Sequence, residues 1–352
     1  MALVGLIEGI AEATAAITKV FSGWLSDRIG KRKLLAVIGY GLGALTKPVF
    51  ALAATPLAIF GARMADRIGK GIRGAPRDAL VADITPPEIR GAAFGLRQSL
   101  DTIGAFAGPL IAIALMFALA GDIREVFAWA IVPAVIAVVL LIFGVEEPSR
   151  PTGAAPVPPP IRWVEVRAIG APYWRVVVLG VVFTMARLSE AFLVLRASDL
   201  GVTAALVPGV MVAMNLVYAA VSAPAGSLSD RLDRRLILLA GLVVLIVADL
   251  ILAFASNVGG LLLGVAMWGL HMGLTQGLLA AMVVDTAPAR LRGTAFGLNL
   301  ATGFGLLAAS SVAGLLWSTF GASTTFLAGG GFAMIATLML AVTIKRLRPT
   351  EQ

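Results

Sequence analysis

Long apolar stretches, each closed by a small cluster of charge or by a turn residue, follow one another along the chain. Within a stretch the apolar positions are continuous and do not alternate with period two. That is the pattern of helices that cross a bilayer, where every backbone group must be satisfied within its own segment, and not of barrel strands. A spanning helix needs roughly 20 residues. Eleven such helices are predicted, at 3–25, 34–54, 57–80, 92–118, 126–145, 174–197, 204–226, 236–255, 259–282, 294–318 and 322–344.

The connections between these helices alternate in charge. One set carries Arg28, Lys31, Arg32 and Lys33; Arg90; Arg150, Arg162 and Arg167; Arg231, Arg234 and Arg235; Arg290 and Arg292; and the tail Lys345, Arg346 and Arg348. The other set is short and holds little beyond Arg124. Basic residues collect on the cytoplasmic side, so the C-terminus is expected inside and the N-terminus, as the chain stands, outside. The longest connection, 146–172, contains Pro148, Pro151, Pro156, Pro158, Pro159 and Pro160 and should be stiff and extended. It divides an N-terminal bundle, 1–145, from a C-terminal bundle, 173–352.

Composition agrees with this pattern. The chain is 59% hydrophobic and 14% charged, with a mean hydropathy of +0.94, against about 45–50% apolar and about 25% charged in soluble domains. The net charge of +8 is accounted for by the basic loops, so no nucleic-acid partner is expected. With no cysteine there is no disulfide and no thiolate metal site, and no metal or cofactor is expected. No cleavable signal peptide is evident.

Two motifs recur. GWLSDRIGKRK, from Gly23, returns as GSLSDRLDRR, from Gly226, with six of ten aligned positions identical at an offset of 226 − 23 = 203. DITPPEIRGAAFG, from Asp83, returns as DTAPARLRGTAFG, from Asp285, with seven of thirteen identical at 285 − 83 = 202. A charged hairpin between membrane helices, repeated in this way, resembles the signature loop of the major facilitator superfamily of secondary transporters. The resemblance covers essentially the whole chain and implies an all-α membrane fold of two pseudo-symmetric bundles that rock about a central site. Residue 1 maps to 1 + 203 = 204, the start of the second helix of the C-terminal bundle. The first half is therefore expected to have five helices and the second six, the family's first helix being absent from this sequence; a late start site, a fragment or a natural truncation would each explain that.

In the family the acid of the repeated loop pairs with nearby bases and meets a helix N-terminus. The resemblance assigns a conformational latch to Gly23, Asp27, Arg28, Gly30 and Arg32, and to Asp230 and Arg231 in the second copy. Asp233 replaces Gly30 there, so the second turn is expected to be less well formed. The same charges also serve as topology anchors.

The third stretch is the most charged. Arg63, Asp66, Arg67, Lys70, Arg73 and Arg77 recur at spacings of three and four and share one helix face. Charge at membrane depth is costly and normally faces protein or a wet cavity. Arg63 with Gly69, Gly71 and Gly74 resembles the family's helix 4 motif, which lines the cavity and whose arginine is linked to proton transfer. The matching second-half positions, Val265, Trp268, Gly269, Met272, Thr275 and Leu279, carry no charge. The acids Glu8, Glu12, Asp101 and Glu190, the last three residues after Arg187, are candidates for proton loading or for structural ion pairs. Asn215 and the sole histidine, His271, are further polar candidates on cavity helices, and packing is the other reading of both. Gly95, Gly104, Gly108 and Pro109 follow most of a glycine-rich motif of the family's antiporters, with Ala112 and Ile113 in place of its final glycine pair; helix packing alone would also use them.

No nucleotide loop, zinc motif or hydrolase elbow is present, and GKGIRG, Gly69 to Gly74, lies within a membrane helix without the GK[ST] ending. The expected protein is not an enzyme. It is expected to be a monomeric inner-membrane transporter that exports a small organic solute, of an anionic or drug-like kind, coupled to protons and without ATP. Passive or symport uptake by the same fold, and a non-transporting truncated relative, are the other readings.

Overall fold

A computed structural model describes residues 2–147, 170–187, 190–203, 206–301 and 304–345. The described residues form thirteen α-helices and two short 3₁₀ turns, with no strand. In chain order the helices are α1 (Ala2–Ile29), α2 (Arg32–Leu52), α3 (Pro56–Ile84), α4 (Arg90–Ala118), α5 (Ile123–Trp129), α6 (Ile131–Gly144), α7 (Ala171–Ala186), α8 (Ala191–Asp199), α9 (Val207–Ser229), α10 (Arg234–Phe254), α11 (Val258–Thr286), α12 (Arg292–Ala301) and α13 (Phe304–Lys345). The Pro-rich segment from Pro148 onward lies outside the described residues.

Among the described residues seven stretches are long and apolar enough to cross a membrane: Arg32–Leu52, Pro87–Ala118, Ile123–Gly144, Gly209–Ser229, Arg234–Phe254, Val258–Thr286 and Val312–Ala341. The remaining predicted spans fall on α1, on α3, whose six face charges lower its hydropathy, on the α7–α8 pair and on the stretch containing α12. Two boundaries have clear local causes. Gly321 takes φ 83°, ψ 178° inside α13 and divides it where the last two predicted helices meet. Before α5, Ala120 and Gly121 turn with positive φ, and the Asp122 carboxylate caps the new helix by accepting from the Arg124 and Glu125 amides at 2.9 and 3.3 Å. The predicted helix at 174–197 is broken between Ala186 and Ala191.

The second sequence repeat is also a structural repeat. Pro87–Ile89 and Ala289–Leu291 each form a 3₁₀ turn after an extended proline, Pro86 (φ −56°, ψ 145°) or Pro288 (φ −56°, ψ 140°), and each leads into a helix beginning at Arg90 or Arg292. The proline ring presets φ for the turn. The offset between the copies steps from 203 to 202 in the first hairpin, where Gly30, in the left-handed region at φ 70°, and Lys31 separate α1 from α2. The second hairpin uses Asp233, extended at φ −59°, ψ 117°, and its carboxylate caps α10 through the Arg235 amide at 2.9 Å.

The helices gather into two compact units. One contains residues 1–84, 109–174 and 283–301; the other contains 85–108, 175–282 and 302–352. In the first, α1, α2 and α3 pack together with α12, around small side chains such as Ala15, Ala36, Ala75, Ala79 and Ala295. In the second, the core is larger: Leu238, Leu242, Leu245 and Leu252 of α10 pack with Leu261, Val265 and Trp268 of α11 and with Phe326 and Ala333 of α13. Helix α6 exposes Val132, Val135, Ile136, Val139, Leu140 and Phe143, an apolar face suited to lipid.

Candidate functional site: capped helix termini and a charged helix

Asp27 lies in the last turn of α1, and its side chain is fully buried. Its Oδ1 accepts from the Gly293 amide at 2.9 Å; its Oδ2 accepts from the Thr294 amide at 2.6 Å and from the Thr294 hydroxyl at 2.7 Å. Arg32 Nη1 lies 3.0 Å from Oδ1. Gly293 and Thr294 belong to the first turn of α12, whose amides have no partner within their own helix. Asp27 therefore does for α12 what an N-cap side chain does for its own helix, and places a negative charge at the positive end of the helix dipole. Burial pushes the Asp27 carboxyl up, while the Arg32 guanidinium and the donors of Thr294 and Gly293 oppose it. These four donors favour the anion.

The arrangement requires backbone contact. A Cβ on Gly23 would stand 2.1 Å from the Gly293 carbonyl oxygen. The charges then continue outward: Arg32 Nε donates to Asp83 Oδ2 at 2.5 Å, and Arg292 Nη1 to Asp83 Oδ1 at 2.7 Å. Asp27, Arg32, Asp83 and Arg292 thus alternate in sign and tie together the ends of α1 and α3 and the starts of α2 and α12.

The other unit repeats the device. Asp230, at the end of α9, accepts from the Gly91 amide through Oδ1 at 2.7 Å and from the Ala92 amide through Oδ2 at 2.8 Å, in the first turn of α4. Arg234 Nη2 is 3.3 Å from Oδ1. The two acceptor sets differ in one donor, since Ala92 stands where Thr294 adds a hydroxyl. The different turn at Asp233 leaves this capping geometry in place, because Asp230 is positioned by the last turn of α9. In both hairpins the base paired with the acid opens the next helix, Arg32 or Arg234. Arg28 and Arg231 are exposed, with the Arg28 guanidinium 5.4 Å from the Trp24 ring centroid.

On α3, Arg63, Asp66, Arg67, Lys70, Arg73 and Arg77 are all partly buried. Asp66 Oδ1 accepts from Lys47 Nζ of α2 at 3.0 Å, Arg73 lies 4.5 Å from the Tyr40 ring centroid, and Arg77 pairs with Asp78 at 3.0 Å. The glycines of the helix 4 motif bring neighbours close. A Cβ on Gly69 would stand 2.7 Å from the Gly39 carbonyl of α2, and one on Gly71 would stand 2.5 Å from Thr18 Cβ of α1. Ser22 also donates to the Gly71 carbonyl at 2.9 Å.

Other candidates are dispersed. The side chains of Glu8, Glu12 and Pro109 lie outside the described ones. Asp101 is exposed on α4. The Arg187–Glu190 ion pair expected from helical spacing does not form. The helix ends between them, so the spacing no longer places them on one face, and Arg187 Nη1 instead lies 3.1 Å from Met272 Sδ. Asn215 donates to the Met211 carbonyl of its own helix at 2.9 Å. His271 is buried, with Nδ1 2.8 Å from the Gly241 carbonyl, which can only accept, so Nδ1 carries the proton. Of the three glycines of the antiporter-like motif, Gly95 is at a tight contact, 2.4 Å from the Ser222 carbonyl for an added Cβ, while Gly104 and Gly108 face open space among the described residues. Sequence reasoning missed Lys47, Asp83, Arg292, Thr294 and Asp249. A charge inside an apolar stretch was the available signal for Lys47 and Asp249; for Asp83 and Arg292 it was their place in the repeated second motif.

The profile of the Major Facilitator Superfamily matches residues 1–195 and 176–352. The chain belongs to this superfamily. It is 29% identical over 344 residues to an uncharacterised MFS-type transporter of Methanocaldococcus jannaschii, covering 96% of this chain and 85% of that one. Among solved structures it is similar to the human organic anion transporter MFSD10, with a TM-score of 0.78 at 18% identity over 96% of this chain and 83% of that one. It is also similar to the Escherichia coli fucose:proton symporter FucP, with a TM-score of 0.78 at 14% identity over 96% and 90%. These likenesses establish the fold. The protein is a multi-pass membrane transporter of the Major Facilitator Superfamily.

Proposed function

We propose that the protein is a proton-coupled secondary transporter that moves a small anionic organic solute by alternating access, with export as the direction. The carrying observation is the charge of α3 and its neighbours. On one face of α3 five cations, Arg63, Arg67, Lys70, Arg73 and Arg77, recur at spacings of three and four together with the acid Asp66. A surplus of positive charge on one membrane helix is expensive unless protein, water or a counter-ion meets it, and an anionic solute is such a counter-ion. Arg63, Arg67 and Lys70 are the residues assigned to the solute and proton path, with Glu8, Glu12, Asp101 and Glu190 as further proton carriers.

In this reading Asp27 and Asp230 hold two helix termini in one state of the cycle and release them in the other. Bundles 1–145 and 173–352 act as the rocking halves, joined by 146–172. The protein works as a monomer in the inner membrane, with its C-terminus cytoplasmic and its N-terminus outside. Uptake is the second reading, favoured by Ala112 and Ile113, which stand in place of the antiporter motif's final glycine pair.

The test is transport in proteoliposomes under an imposed pH gradient, with a panel of labelled organic anions beside neutral and cationic solutes. The anions should move with the gradient, and Arg63→Ala should abolish their movement while the protein stays folded and inserted. A preference for cations, or normal transport by Arg63→Ala, would overturn the assignment. Indifference to the gradient would end the proton-coupled reading.

A further inference from the structure

Asp249 lies in the last third of α10 and is 1% exposed. Its Oδ1 accepts one hydrogen bond, from Trp268 Nε1 of α11 at 3.2 Å. Its Oδ2 has no partner among the described residues. Among the described residues no titratable or charged group on the surrounding elements bonds Asp249. On α11, His271 is turned to the Gly241 carbonyl. On α9, Tyr218 is buried and makes no hydrogen bond to Asp249. Arg196 of α8 donates to the Leu252, Ala253 and Ala255 carbonyls at 3.0, 3.4 and 2.7 Å. Arg187 lies against Met272, and Arg234 of α10 itself pairs with Asp230. The described side chains of α13 include no charged group, and a Cβ added at Gly330 would stand 3.7 Å from Asp249 Cβ.

The repeat shows what has changed. At the offset of 202, Asp249 corresponds to Lys47 and Trp268 to Asp66, since 249 − 202 = 47 and 268 − 202 = 66. The same two positions hold a Lys–Asp ion pair at 3.0 Å in the first unit and an acid–indole hydrogen bond in the second. The second copy keeps a carboxyl at this junction and has no cation for it. A buried carboxylate presents about four acceptor sites and needs a counter-charge or several donors; one indole supplies neither.

We propose that Asp249 is a proton-binding site of the transport cycle, holding its proton in this conformation and giving it to water when α10 and α11 separate enough to wet it. The step is the binding or loss of one proton at Oδ2, with no other bond changed. Its place in the cycle rests on the proton-coupled reading, while its protonation in this state does not.

Infrared spectroscopy of the purified protein tests the protonation. The parent should show a protonated-carboxyl C=O band that Asp249→Asn removes, and Trp268→Phe should raise its frequency by deleting the hydrogen bond. Identical spectra for the parent and Asp249→Asn would overturn the site. Should the Asn variant fail to fold, an unmoved band in Trp268→Phe would do so. In proteoliposomes, with the best-transported anion of the panel, Asp249→Asn should keep gradient-free exchange and lose accumulation driven by the pH gradient. Accumulation equal to a responsive parent overturns the role of Asp249 alone. A parent that ignores the gradient overturns the coupled reading, and the role in the cycle with it.

Discussion

Replacing Asp27 by Asn removes a charge from the most completely satisfied carboxylate in the described structure while keeping its shape. Four donors converge on it: two amides and a hydroxyl from Gly293 and Thr294, and the Arg32 guanidinium. Asn retains one acceptor oxygen, and its amide group brings two new protons towards donors that cannot accept them. Breaking one side of a buried ion pair costs about 3–5 kcal/mol. With one acceptor kept, the low end applies, about 3 kcal/mol, which is roughly a hundredfold change in the equilibrium between closed and open contact. The chain has no cysteine, so a single Cys at the fully buried Ser26, beside this contact, can report opening by its alkylation rate in membranes. Alkylation limited by a rapid opening equilibrium follows the open population. Asp27→Asn should therefore accelerate labelling by roughly a hundredfold. Thr294→Ala, which deletes one donor and leaves the charge, costs about 1 kcal/mol and should give roughly fivefold. Equal rates in the parent and Asp27→Asn, or a larger effect from Thr294→Ala, would refute the account.

Further outcomes follow from the same contacts. Asp230→Asn should weaken its own contact by less, about 1–2 kcal/mol, because that carboxylate lacks the third donor and its paired Arg234 is farther, at 3.3 Å; a Cys at the buried Ser229 would read it. Gly23→Ala should lower the thermal midpoint by an overpacking cost of about 1–3 kcal/mol, its Cβ standing 2.1 Å from a carbonyl oxygen. Gly104→Ala, facing open space, should leave stability unchanged or raise it by about 0.5–1 kcal/mol through helix propensity. In a double-mutant cycle on thermal stability, Lys47→Ala and Asp66→Asn should show a favourable coupling of about 1 kcal/mol, since the pair at 3.0 Å is only partly shielded; no coupling would make it incidental.

Much of the fold was legible because membrane helices are written in the chain itself. The apolar runs and the two repeats located the helices and hairpins and identified the family, and Gly321 turns where the last two helices were divided. The α7–α8 break was not legible. The spacing from Arg187 to Glu190 is that of a continuous helix, and only the observed break separates them.

What the sequence alone determined, then, is a membrane transporter with two equivalent hairpins and one helix of exceptional charge, because length, hydropathy and local turn chemistry are properties of contiguous residues. What only the tertiary structure decided is which residues those charges meet. The amides that satisfy Asp27 come from 266 and 267 residues further along the chain, and Asp66 finds Lys47 on a neighbouring helix. The same folding leaves Asp249 with an indole where its counterpart position has an ion pair. Helix packing sets these partners through close backbone approach and the register of one helix against another, neither of which a linear pattern records.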